Sequence, residues 1–296
     1  MGTAGASVES SSTLSVKDAY EYCARLAKSH YENFTIASWL MPREMRPPMH
    51  AIYAYARMAD DFADEEHDLG KLDQWERELD LCYAGTPRHP VFVALADTVR
   101  RYDIPREPFA DLLVAFRSDV NFRGFETLDD ILATYTRYSA NPVGRLVLRI
   151  AGHDRPELDA ASDAVCTALQ LTNFWQDVEV DWAKGRLYIP SSTWQAAGAL
   201  ESDLAARRVT PAWGEALKEA VGRTRALFQA GAPVCDGVRG RLRWELRATW
   251  LGGTRILDKL EAANFDLFAH RPKLTAMDAP GLLWRTATWS RVASER

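Results

Sequence analysis

Two short acidic stretches carry residue types and spacings that could hold a metal ion. The first is Asp60-Asp61-Phe62-Ala63-Asp64-Glu65 and the second is Asn173-Phe174-Trp175-Gln176-Asp177-Val178-Glu179-Val180-Asp181. Each contains Asp-x-x-x-Asp within sequence that reads as helix, a spacing that stacks two carboxylates on one face about one turn apart. Two such faces opposed across an apolar cavity form an anionic site of hard oxygen donors, suited to Mg²⁺ carrying a diphosphate. Spacing alone is not diagnostic. Asp64/Asp68 and Asp159/Asp163 share it, and neither pair is assigned a role.

The surroundings separate the two stretches from these controls. Around the first, Tyr53, Arg57, Asp60, Asp61 and Asp64 fall on one broad helical face at three- and four-residue steps. An arginine one turn before a carboxylate pair can bind diphosphate oxygens while the carboxylates hold metal. Taken alone, the same run also reads as a solvated helix end with Arg57 in i,i+3 and i,i+4 pairs. The second stretch weighs against that reading, because the residues before it, Ala168-Leu169-Gln170-Leu171-Thr172, are too apolar for a mainly exposed helix. Asn173, Asp177 and Asp181 form one stripe at four-residue steps. An amide and two carboxylates offer oxygen ligands only, which favours Mg²⁺ over zinc. Unpaired carboxylates beside Phe174 and Trp175 are costly without a cation.

The elements that must position these groups read as helices near 15–30, 45–67, 71–84, 89–101, 106–120, 127–151, 156–183, 211–231, 234–263 and 278–293. Gly and Pro punctuate the breaks, as at Gly85-Thr86-Pro87, Pro105, Gly152, Pro211 and Gly231-Ala232-Pro233. Alternating strand patterns are nearly absent and no linker divides the chain. The expectation is one all-α domain over 15–296 behind a disordered tail at 1–14. A net charge of −5 without a basic domain argues against a nucleic-acid partner. Cys23, Cys82, Cys166 and Cys235 lie far apart, without zinc spacing, and read as reduced thiols of a cytoplasmic protein. Most of the ten tryptophans are expected in the core, with some suited to a greasy ligand. No apolar run is long enough to span a membrane. The stretch 239–247, with Arg241, Arg243 and Trp244, reads either as a peripheral contact with an anionic membrane or as an ordinary solvated helix face. Oligomeric state is not legible.

Four ordered motifs then resemble one family, the squalene/phytoene synthases. Arg57-x-x-Asp60-Asp61-x-x-Asp64-Glu65 is similar to the family's first aspartate motif, and Asn173-x-x-x-Asp177-x-x-x-Asp181 to its second. Tyr135-Thr136-Arg137-Tyr138-Ser139-Ala140-Asn141-Pro142-Val143-Gly144 resembles its tyrosine-containing segment, and Lys184-Gly185-Arg186-Leu187-Tyr188-Ile189-Pro190 its Gly-Arg-x-Tyr-x-Pro stretch. The resemblance covers roughly residues 17–275. It implies the isoprenoid-synthase helical bundle around a central cavity, acting on a prenyl diphosphate with Mg²⁺. By this resemblance Asp60, Asp61, Asp64, Asn173, Asp177 and Asp181 hold metal, directly or through water, and Glu65 supports them from outside the ligand set. Arg57 and Arg186 contact diphosphate with Tyr53 and Tyr188 nearby. Tyr135 either faces the reacting centre or is a core tyrosine with a satisfied hydroxyl. His30 either donates to diphosphate or bonds within the core.

Departures from the family pattern narrow the expectation. Where relatives carry small hydroxyls before the first aspartate helix, this chain has His30-Tyr31-Glu32-Asn33-Phe34. Gln176 stands where relatives often place an arginine. Both changes remove groups that welcome phosphate. Together with the other motifs they resemble a branch from bacterial hopanoid biosynthesis that takes presqualene diphosphate and water to hydroxysqualene and diphosphate, a carbon–oxygen lyase reaction. Head-to-head condensation of two farnesyl diphosphates, as in presqualene diphosphate or squalene synthesis, or else phytoene synthesis, is the alternative enzyme reading. A non-catalytic binding or assembly relative is the alternative of another class. Tyr135, Glu32 and Asn141 are the candidates for positioning the attacking water.

Overall fold

The computed structural model describes residues 14–29, 41–269 and 271–289. The expected N-terminal tail, Leu14 aside, and the whole 30–34 segment, His30 and Glu32 included, lie outside them. The described residues contain no strand. Helix α1 covers Val16–Ser29, and a 3₁₀ turn at Arg43–Met45 leads into α2, Arg46–Asp64. Then come α3 (Leu69–Tyr83), α4 (Pro90–Tyr102) and α5 (Glu107–Val120). The short α6 (Leu128–Ile131), a π-helical turn (Leu132–Thr136), α7 (Arg137–Ser139) and α8 (Asn141–Ile150) follow. The second half holds α9 (Pro156–Gln176), α10 (Val178–Ala183), α11 (Ser191–Ala196), α12 (Glu201–Ala205) and α13 (Pro211–Gly231). It ends with α14 (Pro233–Gly237), α15 (Gly240–Ala262) and α16 (Ala279–Thr288).

Local chemistry explains the starts. Asp68 and Thr210 cap α3 and α13 by accepting from Lys71 N and Trp213 N, and Thr127 with Asp130 forms a capping box on α6. Prolines occupy the first turns of α2, α4, α9, α13 and α16, where a missing N–H leaves no helix bond unmade. The expected helix at 127–151 is broken by the π turn and by Pro142 opening α8. The expected 156–183 helix is interrupted at Asp177 (φ −106°, ψ 14°). The expected 234–263 helix divides at Val238, which is extended. Helices α11 and α12 carry too few turns to show a period in sequence.

Helix α9 is the spine, packing against α8, α13, α14 and α15. Glycines permit these approaches. A Cβ on Gly231 would lie 2.7 Å from the Ala161 carbonyl oxygen, and one on Gly253 would lie 2.8 Å from Leu169 Cδ2, both on α9. Trp175, fully buried on α9, donates from Nε1 to Thr224 Oγ1 at 2.8 Å, tying α9 to α13. On the other side Tyr55 of α2 donates to the Phe109 carbonyl at 2.8 Å and packs among Trp75, Phe92 and Phe109. These bonds fix α2 and α9, whose C-terminal ends carry the two acidic stretches. Trp75, Trp175, Trp213 and Trp250 are core and Trp182, Trp194 and Trp289 pack against it, so most of the described tryptophans are core as expected; Trp244 and Trp284 are exposed. All four cysteines are free thiols. No helix among the described residues is long and apolar enough to cross a membrane.

Candidate active site

The last two turns of α2 present Arg57, Asp60, Asp61 and Asp64 opposite a face that buries Tyr55, Ala59 and Ala63. Half-buried Tyr53 lies one turn earlier on the same side. Arg57 Nη1 donates to Asp60 Oδ2 at 3.2 Å, and its Nη2 pairs with Asp61 and with Glu65 Oε1 at 3.2 Å. These are the helix-surface pairs that the sequence allowed as the plainer reading. Glu65 therefore balances Arg57 from the helix end. The two control pairs have structural duties: Asp159 and Asp163 bind Arg149 and Arg145, and Asp68 is a helix cap.

The second stripe stays aligned although the helix assignment breaks within it. Asp177 N donates to Asn173 O at 2.9 Å and Asp181 N to Asp177 O at 2.8 Å, so each residue sits one turn beyond the last. Asn173 is exposed, and Asp177 and Asp181 are half-buried. Asp177 is gripped through both oxygens by Arg271, with Nη2 to Oδ2 at 2.9 Å. Gln176 donates its amide to the Pro272 carbonyl. The charge that Gln176 does not supply thus arrives from Arg271, and Gln176 anchors the segment that delivers it. Sequence reading missed Arg271, which lies 94 residues from its partner with no local signal.

The two stripes meet through the stretch after α10. Arg186 Nη2 lies 2.8 Å from Asp64 Oδ1, and Lys184 Nζ lies 3.6 Å from Asp64 Oδ2. Two residues beyond Arg186, Tyr188 stacks flat on Phe174 with ring centroids 3.7 Å apart and planes 5° apart. Tyr135, Phe125 and Phe122 complete an aromatic wall around that pair. Phe122 and Phe125 also line an adjoining open cavity of about 850 Å³ with Trp182, Leu187, Ile189 and Trp194. Tyr135 sits in the π-helical turn, an irregularity frequent at functional sites. Its hydroxyl donates to Asp119 Oδ2 at 3.0 Å. Of the two readings open for Tyr135, a buried tyrosine with a satisfied hydroxyl is present, and its ring also forms part of the wall. Asn141 accepts from Thr167 at 2.9 Å, so it ties α8 to α9.

Asp119 is the second residue that sequence reading missed; a lone Asp late in an apolar helix carries no motif. It is 7% exposed, and its Oδ1 has no hydrogen-bond partner among the described residues. Burial pushes its carboxyl up to about 7, with Asp64 and Asp60 adding to the rise and the Tyr135 hydroxyl and Arg186 opposing it. Burial followed by repulsion from Asp64 raises Asp60 to about 6. Burial followed by Asp177 raises Asp181 to about 6, and Asp64 adds to it from the opposite stripe. The carboxylates therefore share one field, of the sign that a bound cation relieves.

The donor set fits Mg²⁺: every candidate ligand is an oxygen, and buried Asp119 Oδ1 is left unsatisfied beside them. Among the described residues no three of the acids are drawn together in a metal-holding cluster. Arg57, Lys184, Arg186 and Arg271 hold Asp60, Asp61, Asp64 and Asp177 individually. Metal binding would replace these cations as partners and turn the guanidinium groups toward an anion. The arrangement can hold a metal–diphosphate end against an aromatic wall able to face positive charge.

Comparison with known proteins places the chain in a family. The family model described as squalene/phytoene synthase matches residues 27–278. Phytoene synthase 1 of Arabidopsis thaliana is 31% identical over 265 residues, covering 86% of this chain and 62% of that one. The Arthrospira platensis phytoene synthase is 29% identical, with 86% and 87% coverage. The chain thus spans less than two thirds of the plant relative's length. Among solved structures, squalene synthase HpnC from Alicyclobacillus acidocaldarius is 39% identical with a TM-score of 0.81, over 84% of this chain and 95% of that one. A dehydrosqualene synthase shares the fold at 23% identity and a TM-score of 0.84, over 93% and 97% of the two chains. This chain belongs to the squalene/phytoene synthase family.

Proposed function

We propose that the protein carries out Mg²⁺-dependent prenyl diphosphate chemistry, converting presqualene diphosphate and water to hydroxysqualene and diphosphate. The carrying observation is the stretch from Arg186 to Tyr188. Arg186 holds Asp64 of the first stripe at 2.8 Å, and Tyr188 stacks at 3.7 Å on Phe174, the neighbour of Asn173 in the second. A charged end and an aromatic end thus adjoin within three residues, matching a substrate with a diphosphate head and a hydrocarbon body.

Asp60, Asp61, Asp64, Asn173, Asp177 and Asp181 would hold Mg²⁺, which supplies neutralisation of the departing diphosphate. Arg57, Arg186 and Arg271 bind the diphosphate oxygens as they leave their carboxylates. The carbon–oxygen bond breaks heterolytically, with the electron pair leaving on diphosphate. The rings of Tyr188, Phe174 and Tyr135 face the resulting cation and exclude bulk water. The cyclopropylcarbinyl cation rearranges, a ring carbon–carbon bond opening as the positive charge shifts along the chain; one water then forms the new carbon–oxygen bond, and its proton passes through the Tyr135 hydroxyl to Asp119. At neutral pH Asp119, at about 7, is poised to accept it. Glu32, outside the described residues, supports a site for one diphosphate, and the squalene synthase HpnC likeness supports a C30 product.

A second reading, head-to-head condensation of two prenyl diphosphates such as farnesyl diphosphate, draws support from the phytoene synthase relatives and from Arg271, which restores charge beside Gln176. Purified protein incubated with Mg²⁺ and either diphosphate, without nicotinamide, separates the two by mass spectrometry. Hydroxysqualene from presqualene diphosphate is expected. Products from farnesyl diphosphate alone, or squalene formed only with NADPH, would overturn the assignment. Absence of any metal-dependent turnover would favour a non-catalytic relative.

A further inference from the structure

From the surface of α16 we infer that this helix is a membrane-docking element, seating the protein on an anionic lipid surface. Within 276–288 the exposed residues are Ala276, Met277, Pro280, Gly281, Leu283, Trp284, Ala287 and Thr288, none of them charged. Met277 is 91% exposed, Trp284 70% and Leu283 64%. Pro280, Gly281, Leu283, Trp284 and Ala287 recur at three- and four-residue steps and so share one side of the helix, with Met277 in the turn just before it. Large apolar side chains gathered on one exposed face are unusual for a surface that meets only water.

The helix is held firmly while it shows that face. Asp278, at its start, accepts from Arg255 Nε at 2.9 Å and Lys259 Nζ at 2.7 Å, both on α15. Thr286 is buried, and Leu282 packs on the core. At the far end Trp289 meets Trp250 edge-on at 5.6 Å and lies 4.9 Å from the Arg247 guanidinium. The exposed side chains are therefore presented by a docked helix and not by a frayed one.

Charge selects the occupant. The chain is acidic overall, at −5, yet the exposed charges flanking this face are mostly basic, with Asp236 paired to Arg247 at 2.9 Å. Exposed Lys273 precedes the helix. Beyond its other end α15 continues on the Arg247 side with exposed Trp244 and, one turn earlier, exposed Arg241, followed by Arg239. Tryptophan flanked by arginine and lysine around a Met/Leu/Trp stripe matches the boundary between acyl chains and anionic headgroups. A single convex helix suits a planar lipid surface, and no described helix could cross it. This inference stands independently of the reaction proposed above.

Flotation of the purified full chain with vesicles tests it, comparing phosphatidylcholine alone with phosphatidylcholine containing phosphatidylglycerol. The wild-type chain should float with the anionic vesicles, with a blue shift of tryptophan fluorescence, and should release in high salt. Leu283→Glu/Trp284→Glu should lower the bound fraction about tenfold or more while circular dichroism stays unchanged. Met277→Glu, at the most exposed position, gives the same direction with the least risk to folding. Equal flotation of wild type and both variants would overturn the inference. So would a wild-type chain that ignores vesicles, including the case in which the variants abolish a dimer seen by sedimentation, since the occupant would then be a second copy.

Discussion

Glu245 on α15 offers a stringent test of the packing described above. It is 5% exposed, and its Oε2 has no hydrogen-bond partner among the described residues. Burial lifts its carboxyl to about 8, against the opposing charges of Arg46 and Arg241. An unfolded glutamate titrates near 4.3, or roughly so. Between those values the folded chain keeps a proton that the unfolded chain has released, so stability falls as pH rises. The loss is about 1.4 kcal/mol per pH unit, with a ceiling of about 5 kcal/mol once Glu245 is charged in both states. Glu245→Gln removes this titration. It also places an amide where Oε2 has no hydrogen-bond partner among the described residues, a pH-independent cost of about 1–3 kcal/mol. The variant should therefore be less stable than wild type near pH 5 and more stable near pH 8.5, with the two curves crossing between. Urea unfolding followed by circular dichroism across that range measures the difference, in which shared titrations cancel. A constant difference from pH 5 to 8.5 would refute the buried, protonated state of Glu245.

Asp60→Ala and Asp177→Ala should each abolish metal-dependent turnover in a product assay while leaving helical circular dichroism intact; loss of helicity would mark these acids as structural. Tyr135→Phe keeps the aromatic wall but leaves Asp119 without its donor, so it should lower kcat more than it changes KM and should raise the pH of the acidic limb of the rate profile, since the Tyr135 hydroxyl holds the Asp119 carboxyl down. Gly231→Ala drives a Cβ to 2.7 Å from a backbone oxygen that cannot swing aside, and should destabilise the fold by about 1–3 kcal/mol in denaturant titration. Mg²⁺ with inorganic diphosphate should raise the melting temperature more than the sum of either alone, because each ligand frees the other's partners; additive shifts would count against exchange of ion pairs.

The all-α architecture and both acidic stripes were legible because helical period and i,i+4 spacing are local properties. The same holds for Arg57, whose partners lie within two turns. The Asp177 helix break escaped detection because its backbone bonds still follow the four-residue step. The π turn at Tyr135 escaped because one inserted residue leaves little trace in an apolar pattern. Arg271 and Asp119 lay beyond reach for a different reason: their partners are set by tertiary packing, 94 residues away in one case and 16 in the other. Gln176 was read as a missing charge, yet the chain supplies that charge from elsewhere and uses Gln176 to hold the supplier in place. Tyr188 was expected from its motif, but its stacking on Phe174 required the chain to turn back across α9.

The pairing of Arg57, Arg186 and Arg271 with the acids of both stripes has a thermodynamic consequence. A metal that takes a carboxylate releases a guanidinium, and a diphosphate that takes a guanidinium releases a carboxylate. On the function proposed above, each event would lower the free-energy cost of the other, so metal and diphosphate would bind with positive cooperativity, and by linkage each would tighten the other by the same factor. Neither half of the load would be favoured alone. The site would then act as a coincidence detector, assembled only when cation and anion arrive together and dispersed when the product diphosphate departs.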